Sequence, residues 1–182
     1  ATLLPRDLAE GGQVDAIGPS LYQRFGRLDV LVHAAGALGR LTPAPHILPN
    51  DWADVLAVNL SAAWHLIRTC DPLLRNAEAG RAVFVTDARA RAPKAYWGAY
   101  GATKAGMEHL VLTWADEVKT TRLRVNLFDP GPTATRLRAN AMPGEDPTTL
   151  PQPRDVATSL AASCLPAETR HGDLIGRCRP DS

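Results

Sequence analysis

Leu28-Asp29-Val30-Leu31-Val32-His33, running straight into Ala34-Ala35-Gly36, is the stretch on which the fold turns. Its apolar residues are nearly continuous and partly β-branched, without the strict alternation of a half-exposed strand. A strand covered on both faces reads in this way. The small residues after it, ending in glycine, make a tight turn at its carboxyl end. Strands of this type sit in parallel sheets, and parallel neighbours need crossover helices.

Those helices are legible on either side. Upstream, Val14, Ile17, Leu21 and Phe25 recur at helical spacing and Gly26 closes the segment as a helix C-terminal signal does. Before them, Ala1-Thr2-Leu3-Leu4 reads as a short strand that ends at Pro5-Arg6-Asp7-Leu8. Downstream, Asn50 or Asp51 is expected to N-cap a helix whose apolar stripe runs through Trp52, Val55, Leu56, Leu60, Ala63, Ile67 and Cys70. Further strands are expected at Arg81–Thr86, Leu123–Phe128 and around Leu174 and Ile175. The intervening helices start near Tyr100, marked by Ala102, Met107, Leu110, Val111, Trp114 and Val118, and around Asp155 to Cys164. The alternation predicts a single α/β domain over residues 1–182, a mostly parallel sheet flanked by helices with right-handed crossovers. In such sheets ligands bind beyond the carboxyl ends of the strands. Ala35-Gly36, Thr86-Asp87 and Pro130-Gly131 all fall there.

Composition narrows the function. Twenty basic and 19 acidic residues give a net charge of +1, which offers no electrostatic footprint for nucleic acid or an anionic membrane. Arg89, Arg91 and Lys94 form a short cluster that reads as a solvated loop. Cys70, Cys164 and Cys178 are odd in number and in no metal-ligand spacing, as expected of reduced thiols. No apolar run approaches the roughly 20 residues of a membrane span. These observations point to a cytoplasmic protein with no nucleic-acid or membrane partner.

The residues that could carry chemistry lie at the predicted strand ends. Tyr100 and Lys104 are one helical turn apart on one face. A nearby ammonium favours a phenolate, so Lys104 is expected to lower the tyrosine pKa toward neutral. Asn59 lies on an apolar stripe, where a buried amide must find partners in backbone or water. Pro130-Gly131 permits a close backbone approach, and Thr133 and Thr135 place hydroxyls beside it. Asp7, just past the first expected strand, could accept from an amino group of a ligand or serve as a turn residue.

Taken together, His33-Ala34-Ala35-Gly36, Asn59, Tyr100-x-x-x-Lys104, Arg124-Val125-Asn126 and Pro130-Gly131 resemble the short-chain dehydrogenase/reductase family in order and approximate interval. Trp97-Gly98-Ala99-Tyr100 and the segment Ala141 to Pro147 look like its bacterial YciK-type oxidoreductases. The resemblance implies a Rossmann-like fold and hydride transfer between a nicotinamide cofactor, NAD or NADP, and a small-molecule carbonyl or secondary alcohol. It implies that Tyr100 is the acid/base, that Lys104 lowers its pKa and binds the nicotinamide ribose, and that Asn59 anchors a water in a proton relay. It further places Ala34, Ala35, Gly36, Pro130, Gly131, Thr133 and Thr135 along the cofactor and Asp7 and Leu8 at its adenine. Dimers or tetramers through the helices bearing Asn59 and Tyr100 are also implied.

Two departures stand out. The family's substrate-orienting serine, thirteen residues before the tyrosine, is Asp87 here. Ionised, Asp87 opposes phenolate formation; protonated, it could hydrogen-bond a carbonyl oxygen as a serine does. Strand alternation turns Thr86 to the other side. Second, no Gly-x-Gly-x-x-Gly follows a strand in this sequence. Ala1 to Leu8 resembles the family's third strand, so the first two strands of the family fold are absent. The first strand here either lacks both neighbours or pairs directly with Val30-Leu31-Val32. The chain is therefore expected to be a truncated form or fragment of a longer enzyme, or a catalytically inactive relative acting as an assembly subunit. Residues 38–49 and 137–153, the expected specificity loops, carry no recognisable chemistry.

Overall fold

The computed structural model describes residues 2–176. Strands β1 (Val30–His33), β2 (Arg81–Val85), β3 (Arg124–Asp129) and β4 (Leu174–Gly176) pair in that order, all parallel. Helices α1 (Gly11–Asp15) and α2 (Ile17–Phe25) precede β1, α3 (Pro49–Leu56) and α4 (Ala62–Arg75) lead to β2, α5 (Gly98–Val118) joins β2 to β3, and α6 (Arg136–Ala141) and α7 (Pro153–Ala162) lead to β4. The result is an α/β, Rossmann-like parallel sheet flanked by helices, as the sequence predicts.

The two sheet faces are covered unequally. On one, Ala82 and Phe84 of β2 and Val125 and Leu127 of β3 pack under Leu66, Cys70 and Leu74 of α4 and Met107, Val111 and Trp114 of α5. Phe84 and Trp114 meet edge-on at 6.2 Å, the geometry that aligns a ring edge with a ring face. On the other face, Val83, Phe128 and Ile175 meet Val156 and Leu160 of α7, which covers only the β2 to β4 side. Val30 and Val32 of β1 point to this second face and are 37% and 40% exposed. The sequence reading of β1 as a fully buried strand is thus corrected: its continuous apolar run is covered on one face only.

Several expected boundaries shift, each for a local reason. Residues 2–6 form no strand, and Leu3 is 91% exposed, because no neighbouring strand lies beside them to take up their backbone hydrogen bonds. The segment lacks neighbours on both sides, and the alternative pairing with Val30-Leu31-Val32 does not form. The upstream helix divides into α1 and α2, and Gly26 closes α2 in the left-handed conformation at φ 71°. Leu48, not Asn50 or Asp51, is the N-cap of α3; Pro49 takes the first helical position, where its missing N–H costs nothing, and Asp51 lies in the first turn. Similarly α7 begins at Pro153, with Gln152 and Asp155 satisfying each other's backbone N–H groups reciprocally. Cys70 is buried and Cys164 half-buried, both free, while Cys178 lies outside the described residues. No helix among the described residues is long and apolar enough to cross a membrane.

Candidate active site

A cavity of about 280 Å³ opens at the carboxyl ends of β1, β2 and β3. The level register, His33 beside Phe84 and Phe84 beside Leu127, brings the three strand exits onto one rim. Of the residues singled out in the sequence, Ala34, Ala35, Gly36, Asp87, Tyr100, Lys104, Pro130, Gly131, Thr133 and Thr135 line it. Asn59 stands behind the wall. Asp7 and Leu8 do not line it: Asp7 accepts from the Ala9 N–H at 2.9 Å as a turn residue, and Leu8 packs against the main core.

Helix α5 starts after Trp97 and carries Tyr100 and Lys104 on one buried face, each 4% exposed. Lys104 Nζ donates to Val85 O at 3.0 Å, which holds the ammonium against the end of β2 and 6.0 Å from the Tyr100 ring centre. Burial brings Lys104 down to about 8, with Asp87 and Glu108 opposing. Tyr100 departs from the sequence expectation. Its hydroxyl is driven well above the usual tyrosine range, first by burial and then by the charges of Asp87 and Asp129. The contact with Asp87, Tyr100 Oη to Oδ2 at 3.4 Å, is long for a hydrogen bond between oxygens. Lys104 does not outweigh desolvation here.

Asn59 lies on a widened π turn, Ala57–Ser61, inserted between α3 and α4. Such insertions re-aim side chains and recur at functional sites. Its Oδ1 accepts from Ala37 N at 2.7 Å, while Nδ2 donates to Ala37 O at 2.9 Å and to Thr103 Oγ1 at 3.0 Å. The amide thereby clamps the loop after Gly36 to α5, one position from Lys104. A methyl at Gly36 would lie 3.6 Å from Lys104 Nζ and 3.7 Å from Asn59 Oδ1, so glycine keeps the space over the ammonium open. At the β3 exit, Gly131 has φ 65°, its N–H donates to Asp129 Oδ1 at 2.9 Å, and Thr133 Oγ1 donates to Gly131 O at 3.1 Å. Thr135 accepts from Arg138 N as the N-cap of α6. Asn126 binds Arg170 O and Asp173 N, and so positions the approach to β4 rather than the cavity.

A charged network behind the cavity was not anticipated. Thr86 Oγ1 donates to Glu108 Oε1 at 2.5 Å, on the side away from Asp87 as strand alternation requires. Arg91 bridges the same Glu108 to Asp129, donating Nη2 to Asp129 Oδ2 at 2.5 Å. Arg91, though exposed, is therefore ion-paired rather than merely solvated, and Arg89, 7% exposed, stacks over Trp97 at 5.6 Å. Burial raises the Glu108 and Asp129 carboxyls despite Arg91. The available sequence signal was Glu108, a carboxylate four residues after Lys104 on the buried face. His33 completes the buried polar set: burial, and then Lys104, bring it down to about 4, and its Nε2 has no hydrogen-bond partner among the described residues.

Residues 1–146 match the profile of the family described as short chain dehydrogenase. The chain belongs to the short-chain dehydrogenase/reductase family. It is 42% identical over 132 residues to the uncharacterized oxidoreductase YciK of Escherichia coli K12, covering 72% of this chain and 52% of that one. It is 31% identical over 140 residues to 2,3-dihydro-2,3-dihydroxybenzoate dehydrogenase of the same organism, covering 77% and 56%. The chain thus spans about half the length of these curated relatives. The solved structure of YciK superposes with a TM-score of 0.86 at 34% identity, covering 96% of this chain and 72% of that chain. A protein of E. coli CFT073 described as a short chain dehydrogenase and solved with NADPH gives 0.87 at 34% identity, covering 96% and 73%. The fold and the YciK-type likeness read from the motifs therefore stand.

Proposed function

We propose that this chain is the catalytic part of an NAD(P)-dependent oxidoreductase that interconverts a carbonyl and a secondary alcohol, with Tyr100 as the acid/base. The observation that carries the reading is the meeting of the Tyr100 hydroxyl, the Lys104 ammonium and the Gly36 and Gly131 turns at one cavity. The space over Lys104 that glycine keeps open at position 36 fits the nicotinamide end of such a cofactor. Ala34, Ala35, Gly36, Lys104, Pro130, Gly131, Thr133 and Thr135 would hold that end, with Asp7 and Leu8 toward the adenine, and NADPH in a 34% identical neighbour supports the choice of cofactor class. When bound, nicotinamide supplies or takes up a hydride.

The chain's own residues then handle the proton. Tyr100 gives its proton to the carbonyl oxygen in reduction and recovers it in the reverse direction. Burial and Asp87 favour the protonated form of Tyr100, the form that donates in reduction, and they oppose the phenolate that would accept a proton in oxidation. Lys104 offers positive charge to the transient phenolate, and Asn59 is proposed to hold a water between Lys104 and solvent.

Titration with NADPH and NADH, followed by nicotinamide fluorescence, tests cofactor binding. Tyr100→Phe should keep that binding and lower turnover by roughly a hundred- to ten-thousand-fold. Binding without a Tyr100-dependent rate would refute the catalytic assignment. A second reading, an inactive assembly subunit, is favoured by one observation: Asp87 works against Tyr100 ionisation from 3.4 Å. Under it, Asp87→Ser creates activity absent from the parent. Exposed Trp64 on α4 and Leu112 on α5 support self-association through those helices, which light scattering would test. We place the enzyme in the cytoplasm, where the Cys70 and Cys164 thiols stay reduced.

A further inference from the structure

We propose that Asp87 makes this cavity a site for secondary alcohols or ketones that carry a protonated amine on the carbon next to the reacting one. The proposal rests on the reading that Tyr100 acts on the oxygen of that reacting carbon.

Asp87 follows β2 in extended backbone, and its Oδ1 accepts from the Arg89 N–H at 2.8 Å. That bond fixes the carboxylate plane. Oδ2 faces the Tyr100 hydroxyl at 3.4 Å, too far to satisfy it, so acceptor capacity remains open toward the cavity. The other charged groups on the cavity wall are engaged. Asp129 accepts from Arg91 at 2.5 Å and from Gly131 N at 2.9 Å. Arg138 is held by both oxygens of Glu145, at 2.6 and 2.7 Å. Lys104 interacts with Asp87 through its charge but gives its hydrogen bond to Val85 O at 3.0 Å.

A serine at this position could donate to a carbonyl oxygen or accept from a hydroxyl. A carboxylate only accepts. A substrate oxygen bound to Tyr100 therefore lies beside a group that repels further oxygen lone pairs and any carboxylate, but that pairs with an ammonium carried on the carbon next to the reacting one. Hydrogen bonds in which a partner is charged are stronger than those between neutral groups. The rest of the substrate meets an apolar wall, since Leu137 lines the cavity and packs with Trp97, Leu38 and Leu41 around Tyr100. The chemistry is that of an amino alcohol or amino ketone with an apolar body.

Four ligands that differ only beside the carbinol carbon test this by titration calorimetry at neutral pH, with and without NADPH: phenylethanolamine, styrene glycol, α-methylbenzyl alcohol and mandelate. The expected order has phenylethanolamine binding about tenfold or more tighter than α-methylbenzyl alcohol, and mandelate weakest. Asp87→Asn, nearly isosteric, should erase the amine advantage, bringing phenylethanolamine and α-methylbenzyl alcohol to within about twofold of each other in the variant. Asp87→Ser, as a second variant checked for folding by circular dichroism, should do the same. Equal affinity for amine and neutral ligands, or an amine preference that survives both substitutions, overturns the proposal. Failure of the oxidoreductase reading looks different: NADPH does not bind or turn over, while the Asp87-dependent amine preference persists.

Discussion

The core beneath α4 and α5 and the rim at the strand exits exclude water to the same degree, yet they do so with opposite chemistry. Phe84, Val111, Trp114 and Val125 are at most 3% exposed, and their burial stabilises the fold at about 25 cal/mol per Å² of apolar surface. Tyr100, Lys104, Glu108 and Asp129 are at most 8% exposed, and each is displaced from its ordinary pKa by burial before anything else. Burying an ionisable group costs free energy unless partners compensate. The Arg91 bridge compensates two of these groups, and the core must offset the remainder. Stability is generated under the helices and expended at the rim.

Three substitutions test that division, beginning with the largest effect. Trp114→Ala should cost about 3–5 kcal/mol by the usual cost of emptying an aromatic core site. Denaturant unfolding should show that loss, which includes the hydrogen bond from Trp114 Nε1 to Asp71 Oδ1 at 2.8 Å. A loss near 1 kcal/mol would mean that the core is not where stability resides. His33→Gln probes the boundary between the regions, where an imidazole stacks on Phe84 at 5.5 Å but belongs electrically to the rim. Its folded-state pKa is near 4, below the ordinary 6.5, so on acidification the unfolded chain takes up the proton first. The stability it contributes is full above about pH 6.5 and is lost as pH falls through about 4, by about 3 kcal/mol. Urea midpoints across that window should fall less steeply in the variant than in the parent. Parallel curves would show that His33 does not couple burial to protonation.

Gly131→Ala has the smallest effect of the three. At φ 65° an L-residue pays about 1–2 kcal/mol, which should appear as a modest drop in melting temperature. Gly12→Ala is the matched comparison. It lies in α1 with nothing within 4 Å of the added methyl, and should be neutral or stabilising by up to about 1 kcal/mol. Similar losses at both positions would remove the distinction between a glycine required by the rim and one that is incidental.

The legible part of this protein was periodic or clustered in the chain. The apolar run at Leu28–His33, the stripes of α4 and α5 and the one-turn spacing of Tyr100 and Lys104 are local patterns, and local patterns survive folding. Residues 2–6 misled because a strand depends on its neighbour for hydrogen bonds, and Leu3-Leu4 has none beside it. The α3 N-terminus misled because Pro49 competes with Asn50 and Asp51 for the start of the helix, and a fixed φ at the first turn prevailed. The π turn at Asn59 has no sequence signature, since it answers to a contact with Ala37 in a segment twenty-two positions away.

Sequence alone determined the parallel α/β architecture, the set of strand exits and the residues Tyr100, Lys104, Asn59 and Gly131 that gather there, because all of these follow from periodicity and motif order. Only the tertiary structure decided how those residues behave. Burial and Asp87 hold Tyr100 above its ordinary range where Lys104 was expected to lower it, and Arg91, read as a surface charge, joins Glu108 to Asp129 behind the cavity. The physical reason is that a pKa and an ion pair depend on solvent exclusion and on charges brought close from distant strands, and neither is written in spacing along the chain.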